Sequence, residues 1–185
     1  NAIRVASAIG ASSNCPPHLI AIAKHMGIKI EIDDWQRLGH EIPLLVNCQP
    51  AGEHLMEGFF KAGGIPVVMQ ELIKNNKIHK DVLTVTGKTI AENLNKDINI
   101  DENVIRSFSN PLVKNAGFVI MRSNFFSSAV MKTSVISNEF RDRYLSNPKN
   151  PNCFETTAVV FEGPEDYHKR INNENLTIGE NSILI

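Results

Sequence analysis

The feature that most constrains the fold is a change in the spacing of apolar residues near the middle of the chain. Before residue 95, apolar residues recur at helical spacing between glycine and proline breaks; after residue 104, they fall in short β-branched or aromatic runs. The stretch between, 95–104, is polar and acidic with weak periodicity. The sequence therefore predicts a helical region at 1–95, a linker at 96–102 and a region rich in strands at 103–185.

Prolines and glycines indicate where the helices of the first region begin and end. Pro16-Pro17 suits a first helical turn, which tolerates a missing amide, and Gly27 ends the apolar run that follows. An Asp-x-x-Gln pattern starting at Asp33 is a variant of the capping box and predicts a short helix. Pro66, just after the break at Gly63-Gly64, predicts the start of another helix.

Short apolar runs predict the strands. Leu44 to Val46 indicates one short buried strand in the first region. In the second region the predicted strands are 118–121, 130–136, 158–161 and 182–185, with a turn-rich loop at 146–152 and a short helix at 165–171. A fragment of a barrel or sandwich fits this pattern best, and the last strand has no closing element after it.

Composition excludes several classes of partner. The 185 residues include 19 Lys and Arg against 20 Asp and Glu, so the chain lacks the basic footprint of proteins that bind nucleic acid or anionic membranes. Apolar runs such as 19–23 fall far short of the roughly 20 residues that span a bilayer. The chain begins at Asn1 with neither an initiator Met nor a leader, and we expect it to be a piece of a longer protein.

No metal-ligand pattern is visible. Cys15, Cys48 and Cys153 are far apart in sequence, unlike the short paired spacings of zinc or iron-sulfur ligand loops. The histidines are scattered and form no His-x-x-x-His pair. We therefore predict three reduced thiols in a cytoplasmic protein and no metal ligand in this chain.

The sequence Thr86-Gly-Lys-Thr89 is similar to the end of a phosphate-binding P-loop. That pattern requires a glycine five positions before its second glycine, and Val82 stands there. The sequence instead predicts a capped helix start leading into Ile90.

The stretch Gly10-Ala-Ser-Ser-Asn14 allows two interpretations. Ser12, Ser13 and Asn14 could present hydroxyls, an amide and free backbone N–H groups to a carboxylate at the start of a helix. Alternatively, Ser13 or Asn14 simply caps the helix. Sequence physics alone favours the cap, and both interpretations stay open at this point.

Several stretches resemble, in the same order, the dihydroxy-acid and 6-phosphogluconate dehydratase family. Gly10–Asn14 with His18-Leu19 is similar to the family's Gly-Gly-Ser-Thr-Asn box. The remaining similar stretches are Lys61–Pro66, Leu83–Thr89 with Glu92-Asn93, Asp34–His40, Ser127–Ser137 and Glu165–His168. The last three resemble the branch that acts on aldonic acids such as L-arabinonate. In the stretch that corresponds to Ser127–Ser137, branched-chain dihydroxy-acid dehydratases more often have the sequence Val-Val-Lys-Val-Ser.

The resemblance implies a hydro-lyase that converts a small sugar acid to a 2-keto-3-deoxy acid. Its cofactors would be an iron-sulfur cluster, 2Fe-2S or 4Fe-4S, and Mg²⁺; the enzyme would be a cytoplasmic dimer or tetramer. A metal would assist departure of the hydroxyl, and a serine would take the C2 proton. In the family, the residues that bind these cofactors and the serine that takes the proton lie outside the segments matched here. The chain is therefore given no catalytic and no metal-binding residue, and Ser12, Ser13 and Asn14 are its substrate-binding candidates.

The implied fold class is α/β plus β. Residues 1–95 would end a helical α/β domain that bears the cluster, and residues 103–185 would begin a β-barrel domain similar to the aconitase swivel. The segment alone is expected to be inactive. Two alternatives remain: a segment of a branched-chain dihydroxy-acid dehydratase, or a catalytically dead remnant that serves as an interaction domain.

Overall fold

The structure, a computed structural model, describes residues 1–94, 100–151 and 153–185. It divides into a first unit, Asn1–Ile136, and a second unit, Ser137–Ile185. The predicted linker at 96–102 falls largely outside the described residues. Its position and the domain bounds on either side of it stay predictions.

The first unit contains six helices and one hairpin within its described residues. The helices are α1 (Ala2–Ala8), α2 (Cys15–His25), α3 (Ile32–Gly39), α4 (Met56–Lys61), α5 (Gly64–Lys74) and α6 (Ile90–Asn93). Strands β1 (Phe118–Met121) and β2 (Ala129–Lys132) are antiparallel and place Phe118 opposite Lys132. A short 3-10 helix, Thr133–Val135, follows β2.

Apolar side chains of the first unit form two buried clusters. The larger one centres on α5, whose Val67, Val68 and Leu72 are completely buried together with Leu45. The smaller one, which we name the Trp35 cluster, consists of Ile3, Ala6, Trp35 and Phe118. The Trp35 and Phe118 rings meet edge to face with centroids 5.2 Å apart, so α3 and β1 are joined through this contact.

The second unit has little interior. It comprises α7 (Asn138–Phe140), which continues into a π-helical turn at Arg141–Leu145, and then β3 (Thr157–Val159), α8 (Pro164–Arg170) and β4 (Ser182–Leu184). Strands β3 and β4 are parallel and pair Val159 with Leu184. Among the described residues of this unit, Val159 alone is buried. Whether residues 103–185 belong to a barrel domain stays a prediction.

Most of the predicted elements are confirmed, with shifted ends. Helix α2 carries Pro16-Pro17 in its first turn, and Gly27 follows it with a φ of 71°. Helix α5 begins at Gly64, so Pro66 lies inside the first turn, where its missing amide has no helical partner to lose. The four predicted strands of the second region correspond to β1–β4. The second is cut short because the chain turns into the 3-10 helix at Thr133–Val135, where the Ile136 N–H donates to the Thr133 carbonyl oxygen at 3.3 Å.

Two local predictions are wrong. Helix α3 starts at Ile32, with Glu31 as its N-cap: the Asp34 carboxylate accepts from the Glu31 backbone N–H at 2.9 Å, so the cap is not Asp33. Leu44 to Val46 is extended and buried but forms no continuous strand. It makes isolated bridges instead, from Leu44 to Val113 and from Val46 to Ile105, because its neighbours on that side are loop segments.

Candidate functional site

The Gly10–Asn14 box connects α1 to α2. Gly10 ends α1 in the left-handed region, with a φ of 62°, and its N–H donates to the Ser7 carbonyl at 3.1 Å. The Ala11 N–H donates to the Ala6 carbonyl at 2.9 Å. A Cβ atom at Gly10 would lie 2.7 Å from Cδ1 of Leu44, so the glycine is required both for its backbone angle and for its lack of a side chain.

The three predicted substrate-binding residues lie together on the exposed side of this box. Ser12, Ser13 and Asn14 are all exposed, and Oγ of Ser12 accepts from the Asn14 N–H at 3.2 Å. Asn14 occupies the N-cap position of α2, but its side chain makes no capping hydrogen bond. Within the described residues, the Ser13 and Asn14 side chains have no hydrogen-bond partner. Their polar groups therefore remain available to a ligand.

The Lys132 side chain, which the sequence analysis did not single out, also contacts the box, although it lies 122 positions further along the chain than Gly10. Nζ of Lys132, the last residue of β2, donates to the Gly10 carbonyl oxygen at 2.5 Å. Burial lowers the pKa of the Lys132 ammonium below its usual value, and the nearby Cys15 opposes this effect more weakly. The resemblance of Ser127–Ser137 indicated the substrate branch. Within that stretch, Lys132 is a single cationic residue at the end of an apolar strand, and this pattern could have indicated a site.

The buried side of the box rests on the Trp35 cluster. Ala11 and Cys15 flank the exposed residues and pack against this cluster, as does Val130 of β2. The box is thus held between a packed interior and a partly desolvated ammonium group, while its hydroxyl and amide groups face outward. This arrangement can bind an anionic, hydroxylated molecule through neutral donors.

No metal centre is assembled among the described residues. No group of three or more His, Cys, Asp and Glu side chains is placed to hold a metal ion there. Cys15 and Cys48 are half-buried thiols, Cys153 is exposed, and all three are free. The described residues therefore do not assemble a complete set of protein ligands for an iron-sulfur cluster or an Mg²⁺ ion.

The Leu83–Thr89 stretch forms a closed turn ahead of α6. The Thr89 hydroxyl accepts from the Glu92 N–H at 3.2 Å, while the Glu92 carboxylate accepts from the Thr89 N–H at 2.7 Å. Asn93 Nδ2 donates to the Thr84 hydroxyl at 2.7 Å and closes the turn from the far side. This is a complete capping box, and the predicted capped helix start is confirmed.

A search for membrane spans gives no candidate. Among the described residues, no helix has both the length and the apolar character needed to cross a bilayer.

Comparison with known proteins identifies the family. The N-terminal model of the dihydroxy-acid/6-phosphogluconate dehydratases matches residues 1–93, and the C-terminal model of the same family matches residues 103–185. The chain belongs to this family of dehydratases, which confirms the resemblance seen in its ordered boxes.

Several individual relatives carry the names of aldonic-acid dehydratases. It is 50% identical over 185 residues to the D-xylonate dehydratase of Caulobacter vibrioides and 40% identical over 186 residues to the L-arabinonate dehydratase of Rhizobium leguminosarum. Both matches cover 100% of this chain. A dihydroxy-acid dehydratase of Cytophaga hutchinsonii is 36% identical over 183 residues, or 97% of this chain. The chain spans 30–31% of the length of these relatives.

Proposed function

We propose that the protein containing this chain is a hydro-lyase that removes water from a sugar acid, an aldonate of the D-xylonate or L-arabinonate type. The product is a 2-keto-3-deoxy acid. One observation carries the proposal: the identity of 50% to a D-xylonate dehydratase runs through all 185 residues. The 36% identity to a dihydroxy-acid dehydratase supports the branched-chain alternative less well.

Within this proposal, the Gly10–Asn14 box faces the substrate. The support is physical: Ser13 and Asn14 are exposed and have no hydrogen-bond partner in the described structure, although a capping role would give Asn14 one. An aldonate carries a carboxylate and several hydroxyl groups. The serine hydroxyls can donate to or accept from such hydroxyls, and the asparagine amide can do both at once.

The finer features of the enzyme are proposals as well. An iron-sulfur cluster and Mg²⁺ would supply Lewis-acid chemistry, and their ligands would come from outside this chain, because the described residues do not form such a set. A cytoplasmic homodimer or homotetramer, and a fold that pairs a cluster-bearing α/β domain with a swivel-like barrel, complete the proposal. Orientation of the substrate is the role left to this chain.

Activity measurements on the full-length protein test the proposal. We would incubate it anaerobically with D-xylonate, L-arabinonate or a branched-chain 2,3-dihydroxy acid and detect the 2-keto acid product. Turnover of an aldonate, with little turnover of the branched-chain acid, is the expected result. The reverse preference supports the branched-chain alternative, whereas a protein that turns over none of the three supports the remnant.

A pair of asparagine variants tests the binding site. Asn14→Ala removes an unpartnered amide from the box, and Asn110→Ala removes another exposed amide that has no side-chain hydrogen bond in the described structure. If the box binds substrate, Asn14→Ala raises KM for the aldonate about tenfold with a smaller change in kcat, while Asn110→Ala leaves both unchanged. Equal kinetics for the two variants would remove the box from the site.

A further inference from the structure

The Gly10 carbonyl oxygen accepts a hydrogen bond from a distant segment of the first unit. The α1 terminus fixes the Gly10 and Ala11 N–H groups, and Leu44 fills the space beside the glycine. These contacts leave the carbonyl oxygen free to point in another direction. It accepts from Nζ of Lys132, 122 positions further along the chain. The first residue of the box is therefore bonded to a residue of the hairpin.

The hairpin places Lys132 firmly. Strand β1 is anchored to α3 both by the Trp35–Phe118 contact and by the Gln36 side chain, whose Oε1 accepts from the Ile120 N–H at 2.7 Å. Lys132 lies directly opposite Phe118 in the ladder. The next residue, Thr133, is buried and donates its hydroxyl to the Gly117 carbonyl at 2.7 Å. Lys132 is thus fixed at its backbone before its ammonium reaches Gly10.

The ammonium of Lys132 is matched to a carbonyl rather than to an acid. In the described part of the chain, Lys132 makes no ion pair, although seven other pairs do form there. Desolvation lowers the pKa of Lys132, which means that burial disfavours its charged form. The hydrogen bond to the Gly10 carbonyl offsets this desolvation penalty only in part. Lysines commonly keep the ammonium in water while the stem lies along apolar surface, and Lys132 departs from this pattern.

We propose that Lys132 is a positioning residue: by holding the Gly10 carbonyl, it sets the orientation in which Ser12, Ser13 and Asn14 meet the substrate. The inference rests on the proposed function because it assigns the box a ligand. It goes beyond that function by giving a role to a residue that does not itself belong to the box.

Three variants of the full-length protein test the inference. Lys132→Met removes the charge and keeps an unbranched apolar stem, and Lys132→Arg keeps the charge. Lys114→Met is the matched control, because Lys114 is exposed and has no hydrogen bond or ion pair in the described residues. Amide hydrogen exchange of the peptide that contains Ala11 and Cys15 reports the order of the box. KM and kcat for the aldonate report its fit to substrate.

If Lys132 positions the box, Lys132→Met speeds exchange of these amides and raises KM, each about tenfold, with kcat changed less than about threefold. Lys132→Arg keeps both the exchange rate and KM close to the wild-type values, and Lys114→Met matches the wild type in both. The inference is overturned if Lys132→Met leaves exchange and KM as in the control. It is equally overturned if both Lys132 variants lose kcat and thermal stability together with no separate change in KM.

The same measurements separate this inference from the proposed function. If the wild-type protein turns over no aldonate, the proposed function fails. Amide exchange alone then decides whether Lys132 holds the box: faster exchange in Lys132→Met but not in Lys114→Met supports the inference, and equal exchange overturns it.

Discussion

The two units of the chain differ in how they are held together. In the first, Trp35, Leu45 and Leu72 are completely buried in two packed clusters, and the Trp35 cluster joins the helices to the hairpin. In the second, Val159 is the only buried residue among those described. The first unit thus has an interior of its own, whereas the second exposes most of its apolar surface.

Contacts near the surface replace a core in the second unit. The rings of Phe140, Tyr144 and Phe154 meet with centroids 4.9–5.7 Å apart, and Arg143 pairs with Glu180 beside them. The Phe140 and Phe154 side chains are nevertheless 39% and 38% exposed. Exposed ion pairs contribute only about 0–1 kcal/mol, so buried apolar area decides which unit is the more stable.

The largest expected effect comes from a pair of aromatic deletions. Trp35→Ala removes a completely buried side chain, and we expect a loss of about 3–5 kcal/mol in the free energy of unfolding of the first unit. Phe154→Ala in the second unit should cost about 1 kcal/mol, the value of its ring contacts. Native-state hydrogen exchange resolved by peptide measures both. Equal losses would show that the second unit has a core as effective as the first.

A pair of glycine substitutions sharpens the same contrast. A Cβ atom at Gly117 would lie 2.0 Å from the Gly39 carbonyl oxygen, while one at Gly179 would meet nothing within 4 Å. We expect Gly117→Ala to destabilise the first unit by about 1–3 kcal/mol, because both contacting groups are backbone. Gly179→Ala should change stability by less than about 1 kcal/mol and can be slightly stabilising. Urea denaturation followed by circular dichroism checks both; a neutral Gly117→Ala would contradict this close approach.

Helix caps give a smaller effect. Thr89→Ala breaks a complete capping box in the first unit and should cost about 1 kcal/mol. In the second unit, Ser137 caps only the short α7, where its hydroxyl accepts from the Phe140 N–H at 3.1 Å. Ser137→Ala should cost less than Thr89→Ala, as measured by the exchange rates of the capped amides. A larger loss at Ser137 would mean that α7 and the turn after it stabilise the second unit more than its burial indicates.

The smallest effect is a pH dependence that the two units share. Accepting the Glu31 and Glu162 backbone N–H groups lowers the pKa of Asp34 and of Asp166, respectively, below the usual 3.8, and neighbouring arginines act in the same direction. Each carboxylate therefore adds stability that is fully present above that value and is lost as the pH falls through the lowered pKa. Carboxyl chemical shifts followed from pH 7 downward should show both groups titrating late. Asp34→Asn or Asp166→Asn should flatten the acid dependence of its own unit, and an unshifted titration would contradict the hydrogen bonds.

The elements were predictable because their signals are local. Pro16-Pro17 and Gly27 bracket α2, and the β-branched run after residue 128 contains β2. The start of α3 was missed although its signal is also local: three acids stand within four positions, and choosing Glu31 over Asp33 depends on where the first helical residue lies.

The candidate site was predictable only in part. Ser12, Ser13 and Asn14 are neighbours in sequence, so one resemblance indicated all three. Lys132 meets Gly10 only because β1 packs on Trp35 and sets the register of β2. No spacing rule relates residues so far apart in the chain. The contact is a product of tertiary packing, which a single sequence does not reveal.

The close approach of Gly39 and Gly117 also determines where a shortened version of the protein can end. The first family model ends at residue 93 and the second begins at residue 103, so the interval between them looks like a natural place to end a shortened protein. Such a cut would separate Gly117 from Gly39, Phe118 from Trp35, and Lys132 from Gly10. A fragment intended for crystallisation or binding assays should therefore extend to Ile136, where the first unit ends.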